Sequence, residues 1–379
     1  MKKCICIFIG CYLPGYKYGG PIRTVVNLTE LLGDEYDLRI VCMDRDLGDS
    51  KPYENIKHNE WNQVGKARVW YLAPGGFSFS AIRKFAEDAD VIYSCGLYDA
   101  YCYKTLLLNW LGLLKNVRVA VAPMGSFSPG ALAIKWLKKR VYITLCRWLG
   151  LFRNIVWSVS SELENADLKH NVGNNVCSVV AEDIPQQKIL RRDGAISSEK
   201  LNITFLSRIS PMKNLKGAII ALQKVESPVD FMIYGPREDE VYWQSCCQEL
   251  EKLPANIKWH YGGNVPADRV LETLAGHDIF LLPTCGENFG HVIFEALAVG
   301  CIPVISDRNM WQCVASAGAG YVLPLSEEMS DFTEALMKLA GMTQSERASM
   351  MKKAVDIAAA KIEETKKYTG YRAIFDGNY

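Results

Sequence analysis

Short apolar runs recur along the chain, separated by longer stretches in which apolar residues return every three or four positions. Residues 5–9, 38–43, 91–93 and 117–122 are such runs in the first half, each bounded by polar or Gly/Pro positions. Residues 201–206, 229–234, 279–282 and 302–305 repeat the pattern in the second half. A run without polar alternation fits a strand buried on both faces, and the helical stretches between runs supply the crossovers a parallel sheet needs. The predicted class is α/β, with two doubly wound Rossmann-like domains. The periodicity breaks over residues 184–198, where Pro185-Gln186-Gln187-Lys188 and Arg191-Arg192-Asp193-Gly194 stand. The boundary is therefore placed between an N-terminal domain, 1–187, and a C-terminal domain, 188–364. Residues 344–368, poor in Gly and Pro, read as a charged helix.

Length supports this division, since 379 residues exceed one typical core. Nearly half of them are apolar and no low-complexity tract interrupts them, as expected of a globular chain. Charge is uneven: residues 1–190 hold 23 Lys+Arg against 18 Asp+Glu, while the rest hold 20 against 24. That excess is too small for a nucleic-acid binder, but it inclines the N-terminal half toward an anionic partner. The 13 cysteines include Cys4 and Cys6 two apart and Cys246 beside Cys247, neither a zinc spacing. Many lie in apolar runs, where a thiol is a small core residue, so no metal and a reducing cytoplasm are expected. The start, Met1-Lys2-Lys3 followed by apolar 4–9, imitates a secretory leader but runs straight into a Pro/Gly loop. It reads as the first buried strand. No apolar stretch reaches the length of a membrane span.

The most informative segment is 283–307, Pro-Thr-Cys-Gly-Glu-Asn-Phe-Gly-His-Val-Ile-Phe-Glu-Ala-Leu-Ala-Val-Gly-Cys-Ile-Pro-Val-Ile-Ser-Asp. It puts Glu287 in a loop, Glu295 on the following helix, and a buried strand after that. A small-residue loop entering a helix seats an anion, because backbone N–H groups point outward there. Two carboxylates beside that seat would repel phosphate; they suit the hydroxyls of a sugar and a ribose. The inferred ligand is a nucleotide sugar. The plainer alternative is a solvated acidic loop beside an ordinary crossover. Arg208 and Lys213 follow the run 201–206 in Ser207-Arg208-Ile209-Ser210-Pro211-Met212-Lys213. Two cations just past the carboxyl end of a strand stand where an open α/β sheet binds its ligand, and they suit a diphosphate. Alone, they could equally be surface cations.

Glu287-Asn288-Phe289-Gly290-His291-Val292 followed by Glu295-Ala296-Leu297 resembles the Glu-x7-Glu signature of the large retaining glycosyltransferase family with the GT-B fold (group 1, or family 4), especially its bacterial surface-polysaccharide members. The resemblance is strong over 200–315 and fair over 1–30. It implies two Rossmann-like domains facing across a cleft, an acceptor-binding N-terminal domain and a nucleotide-sugar-binding C-terminal one, with 365–379 packing back onto the first. It implies catalytic roles for Glu287, Arg208 and Lys213, the cations neutralising the departing nucleotide diphosphate. Glu295 would hold ribose hydroxyls, while Asn288, Phe289 and Gly290 would present backbone donors. The leaving phosphate would help to deprotonate the acceptor on the same face. No cofactor or metal is implied beyond the donor, which is usually a UDP-sugar, and the acceptor would be a glycan or a polyprenyl-linked saccharide.

Other stretches add candidates. Pro14-Gly15-Tyr16-Lys17-Tyr18-Gly19-Gly20-Pro21 follows the first strand, and glycine there lets backbone approach a bound group. It is neither a Walker loop nor a dinucleotide fingerprint. By resemblance Gly19 and Gly20 lie near the donor phosphates and Lys17 near the acceptor; a tight turn alone is the alternative. Cys95-Gly96-Leu97-Tyr98-Asp99 and the loop from Pro123 to Gly130 end strands of the same domain, so Asp99 and Ser126 are acceptor candidates. Relatives often carry a donor-contacting His where Cys95 stands. His291 lies within the signature; the other histidines read as ordinary. Tyr234-Gly235-Pro236 and Tyr261-Gly262-Gly263 are placed at the base pocket.

Residues 132–153 hold Lys135, Lys138, Lys139, Arg140, Arg147 and Arg153, no acidic residue, and Trp136, Trp148, Leu149, Leu151 and Phe152. Cations interleaved with Trp and Leu suit an anionic membrane surface. A Rossmann helix with its apolar face inward is the alternative. The expected location is cytoplasmic, or peripheral on the inner face of the plasma membrane. Rival readings are a nucleotide-sugar epimerase or a phosphorylase on the same scaffold, a non-catalytic nucleotide-sugar-binding subunit, and a nicotinamide-dependent dehydrogenase, the last disfavoured by its missing glycine fingerprint.

Overall fold

Cys4-Ile5-Cys6-Ile7-Phe8 is buried at every position, and it forms the middle strand of the first sheet. A computed structural model describes residues 2–133, 135–190 and 200–379. The Arg191-Arg192-Asp193-Gly194 break expected at the seam lies outside them, as do Met1 and Ile134. The chain divides into two compact units, Met1–Ile184 with Thr365–Tyr379, and Pro185–Glu364.

The first unit is built on strands β1 (Cys4–Phe8), β2 (Asp37–Met43), β3 (Trp61–Val64), β4 (Ala67–Leu72), β5 (Val91–Cys95), β6 (Arg118–Ala122), β7 (Val156–Val159) and β8 (Ser178–Val180), in the order β3-β4-β2-β1-β5-β6-β7-β8. All neighbours are parallel except β3, which runs antiparallel to β4 at the edge. Helices α1 (Gly20–Leu32), α2 (Phe79–Ala86), α3 (Ala100–Trp110), α4 (Pro129–Ala133), α5 (Trp136–Leu149) and α6 (Glu162–Val172) make the connections. Alternate side chains of the buried strands feed separate cores on the two faces of the sheet. Ile5 and Ile7 join Val25, Leu28 and Leu32 of α1, whereas Cys6 and Phe8 join Ile82, Leu106 and Trp157.

The second unit has β9 (Leu201–Leu206), β10 (Val229–Tyr234), β11 (Ile257–Gly263), β12 (Ile279–Leu282), β13 (Ile302–Ser306) and β14 (Tyr321–Leu323), in the order β11-β10-β9-β12-β13-β14, parallel throughout. Its helices are α7 (Leu215–Leu222), α8 (Glu240–Leu250), α9 (Val270–Ala275), α10 (His291–Ala298), α11 (Cys313–Ser316), α12 (Ser330–Gly341) and α13 (Gln344–Lys367), the last three residues of which belong to the first unit. This is the doubly wound arrangement, whose strand order reverses between β9 and β12.

The last helix, α14 (Gly370–Asp376), belongs to the first unit again. Tyr371, Ile374 and Phe375 are buried there, with the Phe375 ring 5.9 Å from that of Tyr93 on β5. Arg118 donates to the carbonyls of Ile374 and Phe375, and Lys3 pairs with Asp376 at 2.7 Å. Both runs of strands read from sequence are present. The pattern missed β3, β4, β7, β8, β11 and β14.

Candidate active site

In an open parallel sheet the ligand sits beyond the carboxyl ends of the strands, where the order reverses. In the second unit that point is flanked by the segment after β9, Ser207–Asn214, and by the segment after β12, Pro283–Gly290. The first closes in a single 3-10 turn, Pro211–Lys213, after which Asn214 adopts a left-handed conformation with φ 55°. Asn214 caps α7, its Oδ1 accepting from Gly217 N, while its Nδ2 donates to Pro283 O at 3.0 Å. A Cβ at 217 would lie 2.5 Å from the Asn214 amide nitrogen, so that close approach needs glycine. Cys285 N and Thr284 Oγ1 both donate to Met212 O, and Ser306 Oγ donates to Thr284 O. Glu287 N donates to Arg308 O. The loop carrying Glu287 is thereby fastened to the segments after both β9 and β13.

Lys213 Nζ and Glu287 Oε1 meet at 2.5 Å, with side chains only 11% and 12% exposed. Arg208 has a different partner: its Nη1 lies 2.6 Å from Glu238 Oε1, and both side chains are well exposed. Glu238 comes from the segment after β10, where Gly235 has φ 135° and where a Cβ would fall 1.8 Å from Ser207 O. Only glycine lets the end of β10 pass so close to the segment bearing Arg208. Tyr234 is half-buried, and Tyr261 Oη donates to Gly235 O.

The second carboxylate of the signature is placed otherwise. Glu295 lies on α10, whose residues from Ile293 to Ala298 are all buried, and it is 4% exposed. Glu287 and Glu295 therefore do not form a single exposed pair. Phe289 is core: its ring packs against His291, Phe294 and Trp311, and its carbonyl accepts from Trp311 Nε1 at 2.6 Å. Gly290, with φ 72°, is the N-cap of α10, and its carbonyl accepts from Ile293 N and Phe294 N. Asn288 is exposed at the tip. The first turn of α10 directs N–H groups that lack intrahelical partners toward this loop.

In the first unit the strand order reverses between β1 and β5. A Cβ at Gly19 or Gly20 would meet no heavy atom within 4 Å, so open space lies over this turn; φ at Gly19 is 71°. The buried Asp46 carboxylate holds the turn by accepting from Tyr16 N and Lys17 N, and Lys17 Nζ pairs with Asp49 at 2.5 Å. Behind it opens a cavity of about 750 Å³ whose walls include Leu13, Pro14, Tyr53, Asn55 and Asn62. Asp99 accepts from Tyr18 Oη at 3.3 Å, and burial raises its pKa above the usual carboxylate value. Gly96, with φ 97°, makes room for that carboxylate, since a Cβ there would lie 2.3 Å from Asp99 Oδ2. Cys95 is inside the core, its thiol pKa pushed well up by burial and its carbonyl accepting from Tyr101 Oη. It offers no exposed group in place of a histidine. Ser126 Oγ donates to Pro123 O within its own turn, and Glu164 accepts from Gly125 N and Ser160 N to fix that turn.

The structure thus brings Lys213 to Glu287, sets Arg208 on the same segment as Lys213, and sends Glu295 and the Phe289 side chain inward. Sequence reasoning missed Glu238, Tyr18, Asp46 and Glu164. Glu238 and Tyr18 could have been noticed because each follows a predicted strand closely.

Residues 186–356 match the family model for glycosyl transferases group 1. Among solved structures, Anabaena HepE in complex with UDP and glucose is similar at a TM-score of 0.69 and 14% identity, with 95% of each chain covered. Sucrose-phosphate synthase from Thermosynechococcus elongatus is similar at 0.68 and 13%, over 100% of each chain. WaaG, a glycosyltransferase involved in lipopolysaccharide biosynthesis, is similar at 0.63 and 12%, over 96% of this chain and 98% of WaaG. A sequence search of curated proteins finds no match. At these identities the structural likeness establishes the GT-B fold. With the family match it supports a group 1 glycosyltransferase.

Proposed function

We propose that the chain is a retaining, metal-independent glycosyltransferase that moves a sugar from a UDP-sugar to a glycan or polyprenyl-linked saccharide in surface-polysaccharide biosynthesis. The observation that carries this reading is the meeting of Lys213 and Glu287 where the second sheet reverses, with Arg208 on the same segment. The donor would occupy the second unit, its diphosphate facing Arg208 and Lys213 and its sugar hydroxyls facing Glu287. Binding exchanges partners: the diphosphate displaces Glu238 from Arg208 and shares Lys213 with Glu287. As the bond from the anomeric carbon to the β-phosphate oxygen breaks, negative charge grows on that oxygen, and the two cations stabilise it. The acceptor hydroxyl forms the new bond on the same face and gives its proton to the departing phosphate. Two fixed cations supply the neutralisation that a divalent metal supplies elsewhere. Tyr234 and Gly235 would border the base, Gly19 and Gly20 the phosphates, and Lys17, Asp99 and Ser126 the acceptor. Structural relatives support the donor class, since HepE is described in complex with UDP-glucose. Among the described residues no helix is long and apolar enough to cross a membrane. A lipid-linked acceptor would be met at a membrane surface, from the cytoplasmic side.

The test incubates the protein with a panel of UDP-, GDP- and ADP-sugars, with and without bacterial membrane lipid extract, and follows free nucleoside diphosphate. Release from one donor that rises with extract is expected, and proton NMR of the product should show the donor's anomeric configuration retained. Nucleotide-induced thermal stabilisation with no release from any donor would leave a non-catalytic binding subunit as the better reading. Conversion of the donor sugar without any acceptor would leave an epimerase.

A further inference from the structure

Helix α5 buries only Ile143 and Cys146, although much of it is apolar. At about 100° per residue, Leu137, Val141, Leu145 and Trp148 gather on the side opposite that pair, while Trp136 opens the helix on the margin shared with Arg147. All five are exposed, Leu137 by 60% and Trp148 by 81%, and they line a shallow groove of about 590 Å³ with Arg140 and Thr144. The same periodicity sets Arg140 and Arg147 along one margin of the stripe and Lys138 along the other. An inward-facing Rossmann helix would show the reverse pattern, with its large apolar side chains toward the sheet. Asn109 Nδ2 donates to Asn154 O, which ties the end of α3 to the turn between α5 and β7, and Trp110, Leu111 and Leu113 are exposed at that end of α3.

We infer that this face of α5 is a docking surface for an anionic lipid bilayer, the helix lying in the plane of the interface. Charge selects the occupant. No Asp or Glu stands anywhere between Asp99 and Glu162, an interval that holds Lys104, Lys115, Arg118, Lys135, Lys138, Lys139, Arg140, Arg147 and Arg153. A second copy packed isologously on the stripe would bring Lys138, Arg140 and Arg147 against the same cations of its partner. A bilayer bearing anionic headgroups takes the apolar stripe among its acyl chains and the flanking cations at its surface. Trp136 and Trp148, near the two ends of the helix, have the amphipathic rings that favour the headgroup level. The inference is independent of sugar transfer, because lipid binding is read without donor or acceptor.

The experiment is flotation of the full chain with vesicles of phosphatidylcholine alone or with about one-third phosphatidylglycerol, at about 0.1 M and about 1 M salt, where the Debye length falls from about 10 to about 3 Å. The wild type should float with the anionic vesicles, and less so in high salt. The pair Val141→Glu and Leu145→Glu should abolish flotation at both salts. The pair Lys138→Glu and Arg140→Glu should weaken it at least about fivefold per cation at low salt. These positions are exposed, so thermal melts should match the wild type. If the first variant fails to fold, the second still decides the matter. Wild-type indifference to anionic lipid, or unchanged flotation of a folded variant, would overturn the inference. So would a dimer in solution that only the stripe variant dissolves, which would assign the face to a second copy.

Discussion

Replacing Lys213 with methionine should destabilise the second unit by about 3 kcal/mol, and Glu287→Gln in the same chain should reverse most of that loss without restoring transfer. The magnitude comes from burial. The two charged groups meet at 2.5 Å with roughly nine-tenths of each side chain covered, and deleting one partner of a buried pair costs about 3–5 kcal/mol because the other charge is left uncompensated. The low end applies, since both retain some contact with water. For a unit of this size that is a drop of about 6–12 °C in its melting temperature. A methionine facing a glutamine is neutral and close in volume to the original pair, so the double variant should lie within about 1 kcal/mol of wild type. Calorimetry gives the stability, and nucleoside diphosphate release gives the activity. Both variants should be inactive, since one lacks the cation and the other lacks both groups. A single variant that melts like wild type would refute the energetic reasoning. Recovery of turnover in the double variant would show that the pair shapes the loop and takes no part in transfer.

Four further outcomes are expected. Arg208→Ala should change stability by less than about 1 kcal/mol, because its pair with Glu238 is exposed, yet it should abolish turnover in the same release assay. Glu238→Gln should lower the donor KM several-fold by freeing Arg208 from a competing carboxylate; an unchanged or higher KM would count against the exchange of partners. Gly235→Ala should cost at least about 3 kcal/mol in a denaturant melt, given the overlap with Ser207 O and the positive φ. Asp183, which accepts from Thr24 Oγ1, has its pKa raised by burial from 3.8 to about 7. The folded chain then holds more protons than the unfolded one between those values, so this group erodes stability as pH rises through that window and the loss is complete above about 7. Melting temperatures compared from pH 5 to 8 should show Asp183→Asn gaining on wild type as pH increases.

What could be read in advance followed from burial. β12 is buried at every position, β9 at four of six and β10 at every second one, so their apolar runs stand out from their surroundings and their limits were legible to the residue. Edge strands lack that signature. β11 runs Ile-Lys-Trp-His-Tyr-Gly-Gly with most positions open to water, and β3 is nowhere fully buried. Arg208, Lys213 and Glu287 were legible because each closely follows a strand, where parallel sheets place their ligands. Their pairing was not, since Glu238 arrives from a different strand. The inward course of Glu295 follows from α10 being covered on every side from Ile293 onward, which spacing alone does not disclose.

The return of α14 to the first unit bears on the order in which the protein can be made. Tyr371, Ile374 and Phe375 fill space against β5 and α1, and Arg118 spends its guanidinium on the carbonyls of this helix. A nascent chain that has cleared Val180 holds every strand of the first sheet but lacks the piece that closes one of its cores. The second unit is contiguous from Pro185 to Glu364 and has all its parts before that piece emerges. The half of the protein begun first is therefore completed after the second, and a chain cut just before Gly370 would carry every part of the second unit joined to an open first one.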